Sequence, residues 1–403
     1  MTERVFQVES HLQSLTATVL SCTAANTGFD LVLDRTILFP EEGGQPRDCG
    51  TIDEQPVLAI DDRGDEILYR VEKAVQEGSR VVMTLDWTRR FDFMQQHTGE
   101  HLLSYAAWKR FGAMNVGFHM AECYATLDLD LPLSPDQVKE MENFANELGA
   151  RDLAVTATVY KSEEQLSALP LRKHAEGLTA PIRIVRIEDA DCCTCCAPHC
   201  AHTGEVGQMK VIDAVAYKGG VRITFLCGTR ALHHAIQMHD TVDGLARRFS
   251  TGREQVVDAV AKLQSDCNQL RRREKELVAQ LNGFVSDALQ KSAITVGKYR
   301  LILSLLEDVD AGRLKALAQS TLTGETLAVL FCKDGDKLCY IVASGDKLPL
   351  DAGDLIQAVN AACAGKGGGR GTLAQGQSQS NSGAAETVEQ LRGYFTARLK
   401  AGK

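Results

Sequence analysis

The sequence predicts an α+β protein in four parts: a small β-barrel over residues 1–88, an α+β unit over 89–248, a helical or coiled-coil segment over 249–292, and an α/β domain over 293–403. Three observations predict it. Short apolar runs broken by Gly and Asp extend from Phe6 to Asp86, apolar residues at helical spacing follow from Arg89, and beyond Thr251 apolar positions fall alternately four and three apart. A chain of 403 residues with 44% hydrophobic content can bury more than one core.

In order, Ala17 to Cys22, Phe29 to Leu33, Val57 to Ile60, Ile67 to Val71 and Val81 to Leu85 read as the strands of the barrel. Arg89 to Phe111 lacks Pro, has a single Gly at Gly99, and sets Leu102, Leu103, Ala106 and Ala107 on one face. It is expected to form a helix ending near Gly112. Tyr124 to Leu131 reads as a strand, and Ser134 to Leu148 as an amphipathic helix opened by Ser134-Pro135. Val155 to Tyr160, Ile182 to Ile187, Val206 to Ala214 and Val221 to Cys227 read as further strands, before a helix from Arg230 to Phe249.

Thr251-Gly-Arg-Glu254 fits a capping box, and Val256, Val260, Leu263, Cys267, Leu270, Leu277, Leu281 and Phe284 form a seam interrupted at Glu274. A short coiled coil or helical hairpin is expected, with a homodimer formed through it. Arg271, Arg272, Arg273 and Lys275 make either a solvated face or a phosphate-contacting one. Past Gly297, Tyr299 to Leu306, Thr326 to Phe331 and Leu338 to Val342 alternate with helices. The Gly-rich stretch from Gly365 to Gly376 is either flexible or lets backbone approach a partner closely, and Gln375 to Gly383 reads as a mobile loop.

A net charge of −9 argues against a broadly basic nucleic-acid binder, so any RNA contact must use local basic patches. Met1 to Ser10 has no apolar run, and no membrane-length apolar stretch follows; a cytoplasmic protein without membrane partner is expected. Of thirteen cysteines, five crowd between Cys192 and Cys200, which in a long chain without a signal suits metal or redox chemistry better than disulfides.

His97 and His101, four residues apart on the expected helix, project from one face and suit a single metal, although such pairs also occur in cores and on surfaces. Asp191-Cys-Cys-Thr-Cys-Cys-Ala-Pro-His-Cys-Ala-His202 adds several thiolate and imidazole donors, the ligand types of zinc. Composition alone does not choose among Cys192, Cys193, Cys195, Cys196, Cys200, His199 and His202.

His97-Thr-Gly-Glu-His101-Leu-Leu103 and Cys195-Cys-Ala-Pro-His199, running into Thr203-Gly-Glu-Val-Gly207, resemble the paired motifs of alanyl-tRNA synthetase editing domains. Phe39-Pro-Glu-Glu-Gly-Gly-Gln-Pro46 with Asp48 and Gly50, Gly117-Phe-His119 and Leu169-Pro-Leu-Arg-Lys173 are similar to the long form of the standalone AlaX-type editing proteins. The resemblance implies one zinc ion per chain held by His97, His101, Cys195 and His199, with His97, His101 and Cys195 as catalytic residues. The family's commoner Cys-Gly-Gly-Thr-His is here interrupted by Cys196, Ala197 and Pro198, so Cys196 competes with Cys195 for the ligand position. The Gly365 to Gly376 segment resembles the C-terminal domain shared by alanyl-tRNA synthetases and DHH-class phosphoesterases. The chain begins directly at the barrel, from which no class II aminoacylation core, and hence no amino-acid activation, is expected.

The activity so implied is deacylation of mischarged tRNA(Ala), with the acceptor end carrying Ser, or Gly, as partner. Zinc lowers the pKa of bound water to about 7 or polarises a carbonyl, provided a coordination position opens. With four protein ligands, either one is displaced or the ion chiefly orients the substrate. A polar partner for the Ser hydroxyl would disfavour Ala. Asn115, Gly117 and His119 are expected in the pocket wall, a buried strand-edge role being the alternative for His119. Gly43, Gly44 and Gln45 either approach the tRNA end or form a tight barrel turn. A tRNA-binding accessory protein with a structural zinc is the competing reading. A phosphoesterase would need an Asp-His-His signature, and the Asp is absent before His233-His234.

Overall fold

The computed structural model describes residues 1–167, 169–173 and 181–401. The chain divides into two compact units, Met1–Arg253 and Glu254–Lys403.

In the first unit, seven strands form one antiparallel sheet in the order Gln55–Pro56, Gly50–Ile52, Arg80–Leu85, Ser14–Ala24, Phe29–Leu33, Ile67–Val71, Ala59–Asp62. The two end strands are successive in the chain. Val57 donates its N–H to Gly50 at one end of the sheet and Leu58 to Arg70 at the other, so the sheet curls back on itself. Inward residues fill it: Phe6, Leu31, Leu33, Phe39, Ile52, Tyr69 and Met83 are fully buried. Asp48 fixes the connecting loop through the Phe39 N–H at 2.7 Å and a buried ion pair with Arg90, whose Nη2 also donates to the Ile37 carbonyl at 2.6 Å.

Helix α1, Trp87–Phe111, is nearly wholly buried from Phe93 to Ala107. The Asp86 carboxylate accepts from the Arg89 N–H at its start, and Gly112, with φ 72°, ends it in a left-handed cap. Helix α2, Pro135–Ala150, opens with the reciprocal Ser134–Gln137 capping box. Both pack on a four-stranded antiparallel sheet ordered Asn115–Met120, Ala125–Leu129, Gly220–Cys227, Met209–Tyr217, where Leu102, Ala106, Met141 and Leu148 meet Leu127, Ile223 and Phe225. Gly99 lets α1 approach the strand Gly220–Cys227: a Cβ there would lie 2.2 Å from the Cys227 Sγ. The strand expected from Val206 begins at Met209, because Thr203–Val206 is a 3-10 turn whose Thr203 hydroxyl bonds the Leu148 carbonyl at 2.9 Å.

A three-stranded antiparallel sheet, Val155–Tyr160, Ile182–Ile187, Cys192–Thr194, carries the cysteine-rich segment. Helix α3, Glu163–Ser167, precedes its second strand, and α4, Gly228–Phe249, closes the unit.

In the second unit, α5 spans Val256–Lys291. A 3-10 turn over Arg253–Gln255 precedes it. A six-stranded mixed sheet is ordered Ile294–Val296, Tyr299–Leu306, Thr326–Asp334, Lys337–Ser344, Leu373–Ser378, Lys366–Arg370. Leu327, Val329 and Phe331 face helices α7, Ala352–Ala362, and α8, Ala384–Ala401. Ala328, Leu330 and Cys332 face α6, Ala311–Thr321, and Leu289 at the end of α5. The period-two alternation thus buries both faces. The Gly-rich stretch is a strand paired with Leu373–Ser378, so Gln375 to Ser378 belongs to a ladder instead of a mobile loop.

Candidate metal centre and its cleft

One helical turn separates His97 from His101, so both imidazoles leave α1 on the side that meets the cysteine loop. The Cys195 Sγ lies 3.4 Å from the His97 Nε2 and 3.2 Å from the His199 Nε2. One donor atom each from His97, His101, Cys195 and His199 lies within 4.8 Å of the others. Nitrogen and sulfur ligands on a tetrahedral zinc stand about 3.5 Å apart, so the donor set is compatible with that ion.

Each imidazole is aimed through its other nitrogen. The His97 Nδ1 meets the Gln45 Oε1 at 2.8 Å, the His101 Nδ1 meets the Asp191 Oδ2 at 3.0 Å, and the His199 Nδ1 meets the Thr98 Oγ1 at 3.2 Å. Such partners fix tautomer and ring orientation, leaving the Nε2 atoms for a metal. Asp191 is in turn gripped by Arg172, Nε at 2.6 Å and Nη2 at 2.8 Å. Burial pushes the Asp191 carboxyl up, but Arg172 and His101 outweigh it and hold the group well below the usual carboxylate range.

The cysteines separate by environment. Burial opposes ionisation of Cys195, yet His97, His199 and hydrogen bonds from His101 and His199 bring its thiol well below the ordinary value. Burial pushes Cys193 up to about 11 and Cys200 up to about 12, and burial together with the adjacent Cys195 raises Cys196. Cys192 packs with Leu166, Ile182 and Ile184, and His202 is exposed. Burial lowers His199 to about 3, which keeps it in the neutral form a metal requires. Arg183 secures the loop, its Nη1 donating to the Cys195 and Ala197 carbonyls, each at 2.8 Å. Downstream, the Glu205 carboxylate accepts from the Ala201 N–H at 2.8 Å, which sets the distance from the Thr203-Gly-Glu205 turn to the loop.

The threonyl and alanyl tRNA synthetase second additional domain family matches residues 182–224, a stretch containing Cys195 and His199, and the DHHA1 domain family matches residues 298–400. The alanyl-tRNA editing protein Aarsd1 of Bos taurus is 30% identical over 302 residues, covering 71% of this chain and 68% of that one. The chain belongs to the alanyl-tRNA editing proteins. Across nearly the full length, Aarsd1 of Mus musculus is 28% identical over 409 residues, covering 97% of this chain and 98% of that one. The alanyl-tRNA editing protein AlaX-L of Pyrococcus horikoshii is 28% identical over 389 residues, covering 94% and 95% respectively.

In this member of the family the four donors lie beside a cleft of 660 Å³, whose lining includes His97, His101, Cys193, Cys195, Gly43, Asn115 and Phe118. Gly43 borders Cys196: a Cβ on it would stand 3.2 Å from that Sγ. Gly44, at φ 82°, presses on Phe118, whose carbonyl oxygen a Cβ would meet at 2.5 Å, and its own carbonyl accepts the Met120 N–H at 2.8 Å. Gln45 is buried and faces His97, its Nε2 having no partner. Gly117 and His119 are not among the cleft-lining residues, and His119 is exposed. The cause is a bulge between Asn115 and Gly117, which shifts the alternation so that Phe118 follows Asn115 onto the cleft side, 4.8 Å between its ring centroid and that of His97. Sequence reasoning missed Thr98, Asp191 and Arg172, and also Glu100, a buried cleft-lining carboxylate within the histidine motif.

Proposed function

We propose that this chain is a trans-editing hydrolase that deacylates mischarged tRNA(Ala), chiefly Ser-tRNA(Ala), with Gly-tRNA(Ala) as a second substrate. The observation that carries the reading is the convergence of His97, His101, Cys195 and His199, from two distant stretches of chain, beside a cleft large enough for an aminoacyl group. Relatives matching nearly the full length carry the name alanyl-tRNA editing protein.

In this reading His97, His101, Cys195 and His199 hold one zinc ion, and His97, His101 and Cys195 are the catalytic set. A zinc ion so held supplies Lewis acidity toward the ester carbonyl or a water of lowered pKa. The chain's part is preorganisation: Gln45, Asp191 and Thr98 orient the imidazoles, Arg183 holds the cysteine loop, and Phe118 walls the cleft beside His97. Gly43 and Asn115 line the space in which the acyl group and terminal ribose would sit; behind them Gly44 packs on Phe118, Gln45 on His97, and the Gly117 N–H holds the Asn115 side chain. The acceptor end of tRNA(Ala) is the partner and the cytoplasm the compartment; no described helix is long and apolar enough to cross a membrane. Deacylation of tRNA(Ala) charged with Ser, Gly or Ala tests the reading: Ser and Gly esters should be cleaved and Ala-tRNA(Ala) largely spared, whereas indifferent cleavage or none contradicts it.

Pairing of two copies through α5 belongs to the same proposal. Val260, Leu263, Leu270, Leu277, Leu281 and Phe284 are all exposed along that helix, which supports a coiled-coil seam completed by a second chain.

A further inference from the structure

We propose that Glu100 recognises the α-ammonium group of the aminoacyl ester, an inference that rests on the deacylase reading. Glu100 sits on α1 between the two histidines, is 4% exposed and lines the cleft. Its Oε1 accepts from the Asn115 Nδ2 at 2.5 Å and from the Ser104 hydroxyl, which turns the carboxylate edgewise. The Oε2 stands 3.9 Å from the His101 Nε2, the nitrogen that faces the donor cluster.

The charge balance of the cleft leaves this carboxylate distinct. Arg4 pairs with Asp62, Arg172 with Asp191, Lys173 donates to the Asn115 carbonyl, and Arg183 to the Cys195 and Ala197 carbonyls. Among the described lining residues these four side-chain cations are engaged elsewhere, Arg172 acting on Glu100 only through space, and both hydrogen bonds to Glu100 come from neutral groups. Glu42, the other acid among the described lining residues, is exposed. A carboxylate buried against neutral donors is costly until a cation completes it. An aminoacyl ester carries such a cation on the carbon next to its carbonyl. A carboxylate oxygen close to the metal-facing His101 nitrogen is therefore placed for the ammonium when the carbonyl is directed to the donor cluster. Asn115 supports the site by holding the Oε1, and its own Oδ1 accepts the Gly117 N–H at 2.9 Å, tying the recogniser to the bulged strand.

The test uses zinc-loaded full-length chain and two non-hydrolysable 3′-amide analogues of seryl-adenosine, one with the α-amine and one with a hydroxyl in its place, titrated by calorimetry. Wild type should prefer the amine by about tenfold to a hundredfold, the worth of one charge-assisted hydrogen bond. E100Q should keep full zinc content and bind the two analogues within about threefold of each other. An E100Q chain that retains the wild-type preference, a wild type that shows none, or an E100Q chain that loses zinc and both analogues alike would overturn the assignment. Hydrolysis of Ser-tRNA(Ala) is followed separately. Absent turnover with the ammonium preference intact would contradict the deacylase reading while leaving the recognition site standing.

Discussion

Removing the Asp191 carboxylate should damage both stability and the metal centre, by separable amounts. Asp191 is fully buried as a side chain, and Arg172, only 3% exposed, makes two hydrogen bonds to it at 2.6 and 2.8 Å, while the His101 Nδ1 adds a third at 3.0 Å. Asp191→Ala strands a guanidinium that already has one unpartnered buried nitrogen, Nη1. Breaking a buried pair from one side costs about 3–5 kcal/mol. Urea denaturation in the presence of a chelator isolates that cost from any metal contribution; a loss below about 1 kcal/mol would refute the reasoning. Asp191→Asn keeps the shape but weakens the orientation of His101, and zinc affinity should fall about tenfold to a hundredfold. Because the folded carboxyl titrates below its unfolded counterpart, its stabilisation is complete above the unfolded value of about 3.9 and is lost as pH falls below that. Wild type should therefore lose more stability than Asp191→Asn on acidification from pH 5 to 3, and equal losses would contradict the assignment.

His97→Ala should abolish hydrolysis of Ser-tRNA(Ala) and lower bound zinc, while Cys192→Ser, in the apolar cluster behind the loop, should do neither; metal quantification beside the deacylation assay decides. Gly99→Ala would gain helix propensity on a solvated helix, yet here the Cβ would meet the Cys227 Sγ at 2.2 Å, so destabilisation of about 1–3 kcal/mol is expected by thermal or urea melting. A gain in stability would show that α1 is free to shift. Sedimentation should show a dimer that Leu270→Glu and Leu277→Glu together dissociate, and a wild-type monomer at working concentration would remove the α5 seam from the account.

Helix α1 was legible because its end signals and its apolar period agree: Asp86 caps it, Gly112 takes the left-handed turn, and nothing between interrupts it. Ser134-Pro135 signals the start of α2, but the four-residue pattern at Thr251 does not register the 3-10 turn over Arg253–Gln255 that precedes α5. Likewise the alternation from Asn115 to His119 implies a common face for Asn115, Gly117 and His119, and a single extra residue at Val116 reverses it. At the centre, soft donors in two short motifs announced themselves. Their supports did not, because Asp191 reaches His101 from far along the chain and Arg172 acts on it only through Asp191, a chain of contacts that leaves no local pattern. Glu100 was hidden differently: it sits inside the motif but off the histidine spacing, and only its burial against Asn115 and Ser104 distinguishes it from a solvated helix residue.

The most direct test of the account is turnover of Ser-tRNA(Ala) measured on the same sample as its metal content, across a series from fully chelated to fully zinc-loaded chain. Activity rising in proportion to bound zinc, to one ion per chain, is the predicted result. Full activity in metal-free protein would contradict the account at its centre.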